Sequence, residues 1–171
     1  MPSSNSSEEG CYQVEVEKFL CVGFIYLVPL TNWVSNIVPV IKKQGKIRVY
    51  VDYQDVNLSF PKDNYPTPFI DQIINDCARC EIFLFMDGFS GYNQINIHPE
   101  DQYKTTFIYP WGTFAYRKLL FGLKNDGETF QREMDYDFND IKHIVQPYID
   151  DLPTHSRNQN DHLMHLRPIF L

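Results

Sequence analysis

The feature that most constrains this chain is a five-residue apolar run, Ile82-Phe83-Leu84-Phe85-Met86, that ends abruptly on Asp87. A continuous apolar run of this length reads as a strand buried on both faces. An acid at the end of such a strand stands at the mouth of the core, where an unpaired carboxylate is costly. A second acidic point lies farther along, where residues 145–148 and 152–154 flank Asp150-Asp151 in the pattern of a tight hairpin. Neighbouring carboxylates repel each other. A hard divalent cation relieves that repulsion, and Mg2+ is held through one or two carboxylates plus substrate phosphates. Aspartates in a hairpin turn also serve as plain turn formers, so these acids alone leave a structural reading open.

The rest of the chain alternates strand and helix signals. Residues 37–42 and 46–51 are β-rich and flank Lys43-Gln44-Gly45, predicting a hairpin with Lys42, Lys43, Lys46 and Arg48 about its tip. Such charges also protect an exposed sheet edge. Residues 60–68 contain Pro61, Pro66 and Pro68 and read as an extended connection. Thr67-Pro68 then resembles an N-cap followed by proline at the first helical position. Phe69, Ile70, Ile73, Ile74 and Cys77 follow at helical spacing, predicting one buried face. Residues 105–109 and 113–118 flank Pro110-Trp111-Gly112 as a second hairpin, and 128–141 reads as a helix carrying Phe130, Met134 and Phe138 on one face. Asp161 is expected to cap a closing helix reaching Phe170. Residues 1–16 are expected to be disordered or frayed, with a short helix near 14–22 and one folded domain over 17–171. The fold class is α+β, an antiparallel sheet flanked by helices.

Composition narrows the function. At 171 residues and 43% hydrophobic content the chain suits a globular domain. Its net charge of −7 is opposite to the basic coat of a general nucleic-acid binder, so any such contact must come from a local patch. Cys77 and Cys80 form one CxxC, and Cys11 and Cys21 supply no second pair at zinc-ligand spacing. They read as reduced thiols in an intracellular setting. The apolar run 19–30 is twelve residues long and contains Pro29, well short of the roughly 20 needed to span a bilayer.

Several strings, taken in order, resemble the reverse transcriptase of plant gypsy-type LTR retrotransposons. Tyr148-Ile149-Asp150-Asp151 is similar to the Tyr-x-Asp-Asp signature of that family, and Phe85-Met86-Asp87-Gly88-Phe89-Ser90-Gly91-Tyr92 to its first catalytic-aspartate block. Phe121-Gly122-Leu123-Lys124-Asn125 is similar to the block bordering the nucleotide pocket. Trp33-Val34-Ser35, the run from Gly45 through Tyr53, and Pro61-Lys62-Asp63-Asn64-Tyr65-Pro66 are similar to its fingers motifs. Order and spacing agree over about 17–170.

The resemblance implies fingers and palm of an RNA-directed DNA polymerase, with thumb and RNase H segments supplied by a longer polyprotein. Asp87, Asp150 and Asp151 would be the catalytic and metal-binding triad, holding two Mg2+ ions, with Mn2+ as a substitute. Lys46 and Arg48 would contact the dNTP triphosphate. Tyr92 would crowd a ribose 2′-hydroxyl, Phe121 and Gly122 would line the sugar and template side, and Tyr148 would pack near the primer end. The implied partners are an RNA or DNA template with its primer, and dNTP; the implied setting is a cytoplasmic particle or the nucleus, with no membrane. The chain also departs from the family pattern, with Asp126 and Glu128 where small residues are usual and Gln54 in place of arginine. From 126 to 140 there are six acids and one base, Arg132. Two other readings accommodate the acids: a catalytically inactive retroelement remnant serving as an interaction module, and an unrelated metal-dependent nuclease.

Overall fold

The computed structural model describes residues 5–41, 47–88 and 91–170. In chain order its elements are α1 (Asn5–Cys21), β1 (Ile25–Leu27), β2 (Ile37–Ile41), β3 (Ile47–Val51), α2 (Gln54–Ser59) and α3 (Ile70–Cys77). Then come β4 (Ile82–Asp87), α4 (Pro99–Gln102), β5 (Phe107–Tyr109), β6 (Gly112–Tyr116), α5 (Asp126–Asp137), β7 (Asp151–Ser156) and α6 (Gln159–Leu166). The chain divides into two compact units. One comprises Met1–Pro61 with Tyr92–Lys124, the other Lys62–Gly91 with Asn125–Leu171.

The first unit is built on a three-stranded antiparallel sheet, order β1-β6-β5. The Pro110-Trp111 loop closes β5 onto β6 with Tyr109 opposite Gly112, as the turn residues predict. Val16, Ile25, Phe107, Tyr109, Phe114 and Tyr116 form its core. The Phe107 ring lies 5.2 Å from Tyr116 and 5.9 Å from Phe114. A buried threonine ties this core to the backbone. Thr105 Oγ1 donates to the Gln102 carbonyl (2.7 Å) and accepts from the Tyr116 N–H (2.9 Å). The buried Tyr53 hydroxyl donates to the Thr105 carbonyl (3.1 Å), and burial pushes that phenol's pKa well up, keeping it a neutral donor. Helix α1 contributes Val16 to the core and begins at Asn5, so regular backbone occupies part of the stretch expected to be frayed. The predicted hairpin is present as β2 paired with β3, Val40 opposite Arg48. Its tip, Lys42 through Lys46, lies outside the described residues.

In the second unit β4 pairs antiparallel with β7, from Ile82 opposite Ser156 to Asp87 opposite Asp151. Two expectations are corrected here. Strand β4 is not buried on both faces: its residues alternate in exposure, and Phe85 is 73% exposed. Nor is the apolar face of α3 buried, since Phe69, Ile70 and Ile74 are exposed and only Cys77 is enclosed. The two surfaces instead line one open apolar groove of about 450 Å³ with Tyr148 and Pro153. Apolar periodicity identifies a face but cannot say what covers it. Helix α3 also starts later than predicted, with Phe69 at the N-cap position and no side-chain cap, so Thr67 does not cap it. Asn158, rather than Asp161, precedes the closing helix, which passes into a 3-10 turn at Arg167–Ile169 as Pro168 dictates.

The acids of α5 are partly engaged. Arg132 forms an ion pair with Asp63 and lies 4.7 Å from the Tyr65 ring. The Tyr65 hydroxyl donates to Asp135 (2.8 Å), and Lys142 stands 3.7 Å from the same carboxylate. Part of the acidic surplus therefore anchors the proline-rich connection to α5. No helix among the described residues is long and apolar enough to cross a membrane.

The burial contrast is testable by urea unfolding. Phe107→Ala should cost about 3–5 kcal/mol, as for other large core truncations. Phe85→Ala should cost less than about 1 kcal/mol, as for exposed positions. Comparable losses at both sites would contradict the arrangement.

Candidate active site

The β4–β7 ladder brings the three predicted acids together. Asp87 and Asp151 are direct cross-strand partners, and the Gly88 N–H donates to the Asp150 carbonyl at 2.9 Å. Tyr148 and Asp151 exchange both backbone bonds, N–H to O at 2.9 and 3.0 Å, closing a two-residue loop over Ile149-Asp150. Ile149 takes φ +52°, and it is the one non-glycine with positive φ among the described residues. Positive φ at the first loop position alone is the II′ pattern, which matches strand twist and ordinarily uses glycine. A β-branched side chain there is strained, at a cost of order 1–3 kcal/mol.

Gln131, a residue the sequence reading missed, holds that loop. It is fully buried on α5, its Oε1 accepting from the Ile149 N–H (2.9 Å) and its Nε2 donating to the Pro147 carbonyl (3.0 Å). A glutamine mid-helix reads as solvent-facing, and its one sequence signal is adjacency to Phe130 at a predicted core position. The return from Asp87 is equally close to α5. A Cβ on Gly91 would lie 2.7 Å from the Phe130 ring, so this position admits only glycine without a shift.

The electrostatics are those of crowded like charges. The Asp150 carboxyl is held above its ordinary pKa, first by burial and then by Asp87, Asp151 and Asp126. Asp126, singled out as a departure from the family pattern, is thus an electrostatic neighbour of the acid set. Among the described residues no group of three or more His, Cys, Asp or Glu side chains is placed so as to hold a metal ion by itself. Asp87 and Asp151 share one backbone register with Asp150 in the adjoining loop, and their carboxylates are hard oxygen donors. That chemistry suits Mg2+, which retains water and substrate oxygens and rarely occupies an all-protein cage.

The remaining predicted residues belong to the first unit, except Tyr148, which is half-buried beside Asp151 in the groove. Tyr92 is buried, its ring centroid 4.7 Å from that of the exposed Phe121. Gly122 has φ +104°, a region that favours glycine. Asn57, also missed in the sequence, braces this turn, Nδ2 donating to the Gly122 carbonyl and Oδ1 accepting from the Lys124 N–H, both at 2.8 Å. Arg48 is placed by its backbone in β3, while Lys46 lies outside the described residues.

A raised carboxyl pKa means the folded state holds that proton more tightly than the unfolded chain does. Charge at Asp150 therefore costs stability above the raised pKa, and the cost fades as pH falls through it. Asp150→Asn should raise the melting temperature at neutral pH, with the gap from wild type closing on acidification. An unchanged or lowered melting temperature at pH 7 would contradict the repulsion.

Comparisons with known proteins identify the family and the fold. Residues 40–170 match the family model described as reverse transcriptase (RNA-dependent DNA polymerase). The chain is 33% identical over 120 residues to the retrovirus-related Pol polyprotein from transposon gypsy of Drosophila melanogaster, covering 70% of this chain and 12% of that one. It is 33% identical over 128 residues to the enzymatic polyprotein of cauliflower mosaic virus, strain Strasbourg, covering 75% and 19%. The transposon Tf2-3 polyprotein of Schizosaccharomyces pombe is 30% identical over 130 residues, covering 75% and 10%. The chain thus spans under a fifth of the length of these relatives. Among solved structures, prototype foamy virus protease-reverse transcriptase superposes with a TM-score of 0.85 at 22% identity, over 97% of this chain and 22% of that one. The foamy viral enzyme in complex with an RNA/DNA hybrid gives 0.84 at 20%, over the same shares. The fold is therefore α+β of the reverse-transcriptase fingers-and-palm type, and the chain belongs to the reverse transcriptase family found in the Pol polyproteins of retroelements.

Proposed function

We propose that residues 17–171 form the fingers-and-palm part of an RNA-directed DNA polymerase, encoded within the polyprotein of a gypsy-type LTR retrotransposon of plant origin. The reaction joins a primer 3′-hydroxyl to the α-phosphate of a dNTP and releases pyrophosphate. The observation that carries this reading is the register of Asp87 against Asp151, with Asp150 in the adjoining loop, in a chain of this family.

In this reading Asp87, Asp150 and Asp151 present carboxylate oxygens to two divalent cations, Mg2+ or Mn2+. Cations held there would supply activation of the attacking hydroxyl and stabilisation of the leaving phosphate oxygens. Gln131 keeps the Ile149-Asp150 loop in its strained conformation, so the Asp150 and Asp151 side chains are presented without reorganisation. Lys46 and Arg48 neutralise the triphosphate, Tyr92 excludes a ribose 2′-hydroxyl, Phe121 and Gly122 border the sugar and template base, and Tyr148 supports the primer end. Template, primer and dNTP are the partners, the longer polyprotein supplies the segments that clamp the duplex, and synthesis proceeds in a cytoplasmic particle or the nucleus.

One observation favours a second reading, that of a catalytically inactive remnant retained as an interaction module. Asp126 adds to the negative potential at Asp150, and a carboxylate there opposes the phosphates that polymerisation requires. At about 8 Å and an effective dielectric near 20, one such charge pair is worth about 2 kcal/mol, some 30-fold in binding.

Primer extension on a homopolymer RNA template with Mg2+ separates the two. Polymerase function predicts template-dependent incorporation that Asp150→Asn abolishes and Asp126→Ala increases several-fold. No incorporation by either the wild type or Asp126→Ala, with both folded, would overturn it in favour of the remnant.

A further inference from the structure

A polar cavity of about 440 Å³ lies in the second unit, apart from the acid set, lined among others by Asp76, Cys80, His143, His155 and His165. Two observations within it point to a ligand. The Cys80 Sγ lies 3.3 Å from His155 Nδ1, within hydrogen-bonding distance for sulfur, and the thiol is partly accessible. His155 is only 6% exposed, yet its other ring nitrogen, Nε2, is buried with no hydrogen-bond partner. Buried polar atoms are nearly always satisfied, so an orphaned imidazole nitrogen on a cavity wall marks a position where a bound group supplies the missing partner.

The two residues are held in place by the fold. Cys80 follows α3 by one turn, its N–H donating to the Cys77 carbonyl at 2.9 Å. His155 stands in β7 opposite Phe83, and its N–H donates to the Ile144 carbonyl at 2.9 Å. The ionisable groups around the imidazole are Asp76 on α3, His143 before Ile144, and His165 on α6, with Arg157 and Asp161 farther along the cavity wall. Burial, with the two histidines, pushes His155 below its ordinary pKa against the opposing pull of Asp76, so the ring is neutral at pH 7 and able to accept a proton.

We propose that Cys80 is a thiol-modification site, with His155 as its base, that reacts with low-molecular-weight disulfides carrying carboxylate or amide oxygens. A thiol within hydrogen-bonding reach of an imidazole is the arrangement of an activated nucleophile. As His155 Nδ1 takes the thiol proton, Nε2–H remains a buried donor without a protein partner, which an oxygen of the incoming molecule would complete. The Cys80 sulfur forms a new S–S bond to one sulfur of the disulfide, whose own S–S bond breaks. The departing thiolate collects the proton held at Nδ1. Cys80 is thereby oxidised and one half of the disulfide reduced, with no other reactant. Cys77 is buried and its thiol pKa is raised by that burial, so it does not compete.

Glutathione disulfide is the probe, and the exposed Cys21 is the internal reference. The full chain is incubated over pH 6–9, and mixed disulfides at each cysteine are quantified by peptide mass spectrometry. Because an ordinary thiol is only a few per cent thiolate at pH 7, Cys80 should react about tenfold faster than Cys21 there. That advantage should shrink toward pH 9, where thiols in general ionise. His155→Phe, with folding checked by circular dichroism, should bring Cys80 to the Cys21 rate or below. A Cys80 rate no greater than that of Cys21 at pH 7 would overturn the proposal, whether or not the variant folds. So would a folded His155→Phe chain in which Cys80 keeps its advantage.

Discussion

The second unit depends on one antiparallel pairing, that of β4 with β7, which sets two aspartates from distant parts of the chain directly opposite each other. Like charges across a strand pair destabilise a sheet. A third acid, Asp150, stands in the adjoining loop, where it feels the repulsion of both and of a fourth, Asp126, at the start of α5. Selection for stability alone would not favour this. Carboxylates aligned at the open end of the ladder are what the proposed cation-binding role requires.

The supporting structure absorbs the strain that this alignment creates. Ile149 sits in a backbone region suited to glycine, and a completely buried glutamine satisfies two backbone groups of its loop. Pro153 is accommodated by the same ladder. Its carbonyl accepts from Gln146 N–H, so the side of β7 on which proline lacks a donor faces the 144–148 segment. N–H and C=O of one residue point the same way in an antiparallel strand, and the ladder to β4 therefore loses no bond.

Much of this was legible in the sequence because the relevant signals are local. The Pro110-Trp111 turn, the strand ending at Asp87, and the β2–β3 pairing all follow from turn chemistry and side-chain period. The acid-bearing hairpin instead turns at Ile149-Asp150, one residue before the expected Asp150-Asp151 turn, and Asp151 already belongs to β7. What the sequence concealed depends on tertiary surroundings. The run from Ile82 to Met86 reads as buried on both faces, yet one face joins α3 in lining an open groove. Gln131 and Asn57 look like ordinary surface amides, and only their placement shows each one bridging backbone groups in a turn. Cys80 and His155 are 75 residues apart and acquire meaning only when β7 returns beside the end of α3.

The central claim, that the carboxylates of 87, 150 and 151 act together as a cation-binding set, is most directly tested by titrating the chain with Mn2+ and following the free-ion signal by electron paramagnetic resonance. Binding that Mg2+ displaces and that Asp87→Asn weakens by at least about tenfold, the loss expected when a ligand is removed, is the predicted result. Mn2+ affinity that is the same in wild type, Asp87→Asn and Asp151→Asn would contradict it.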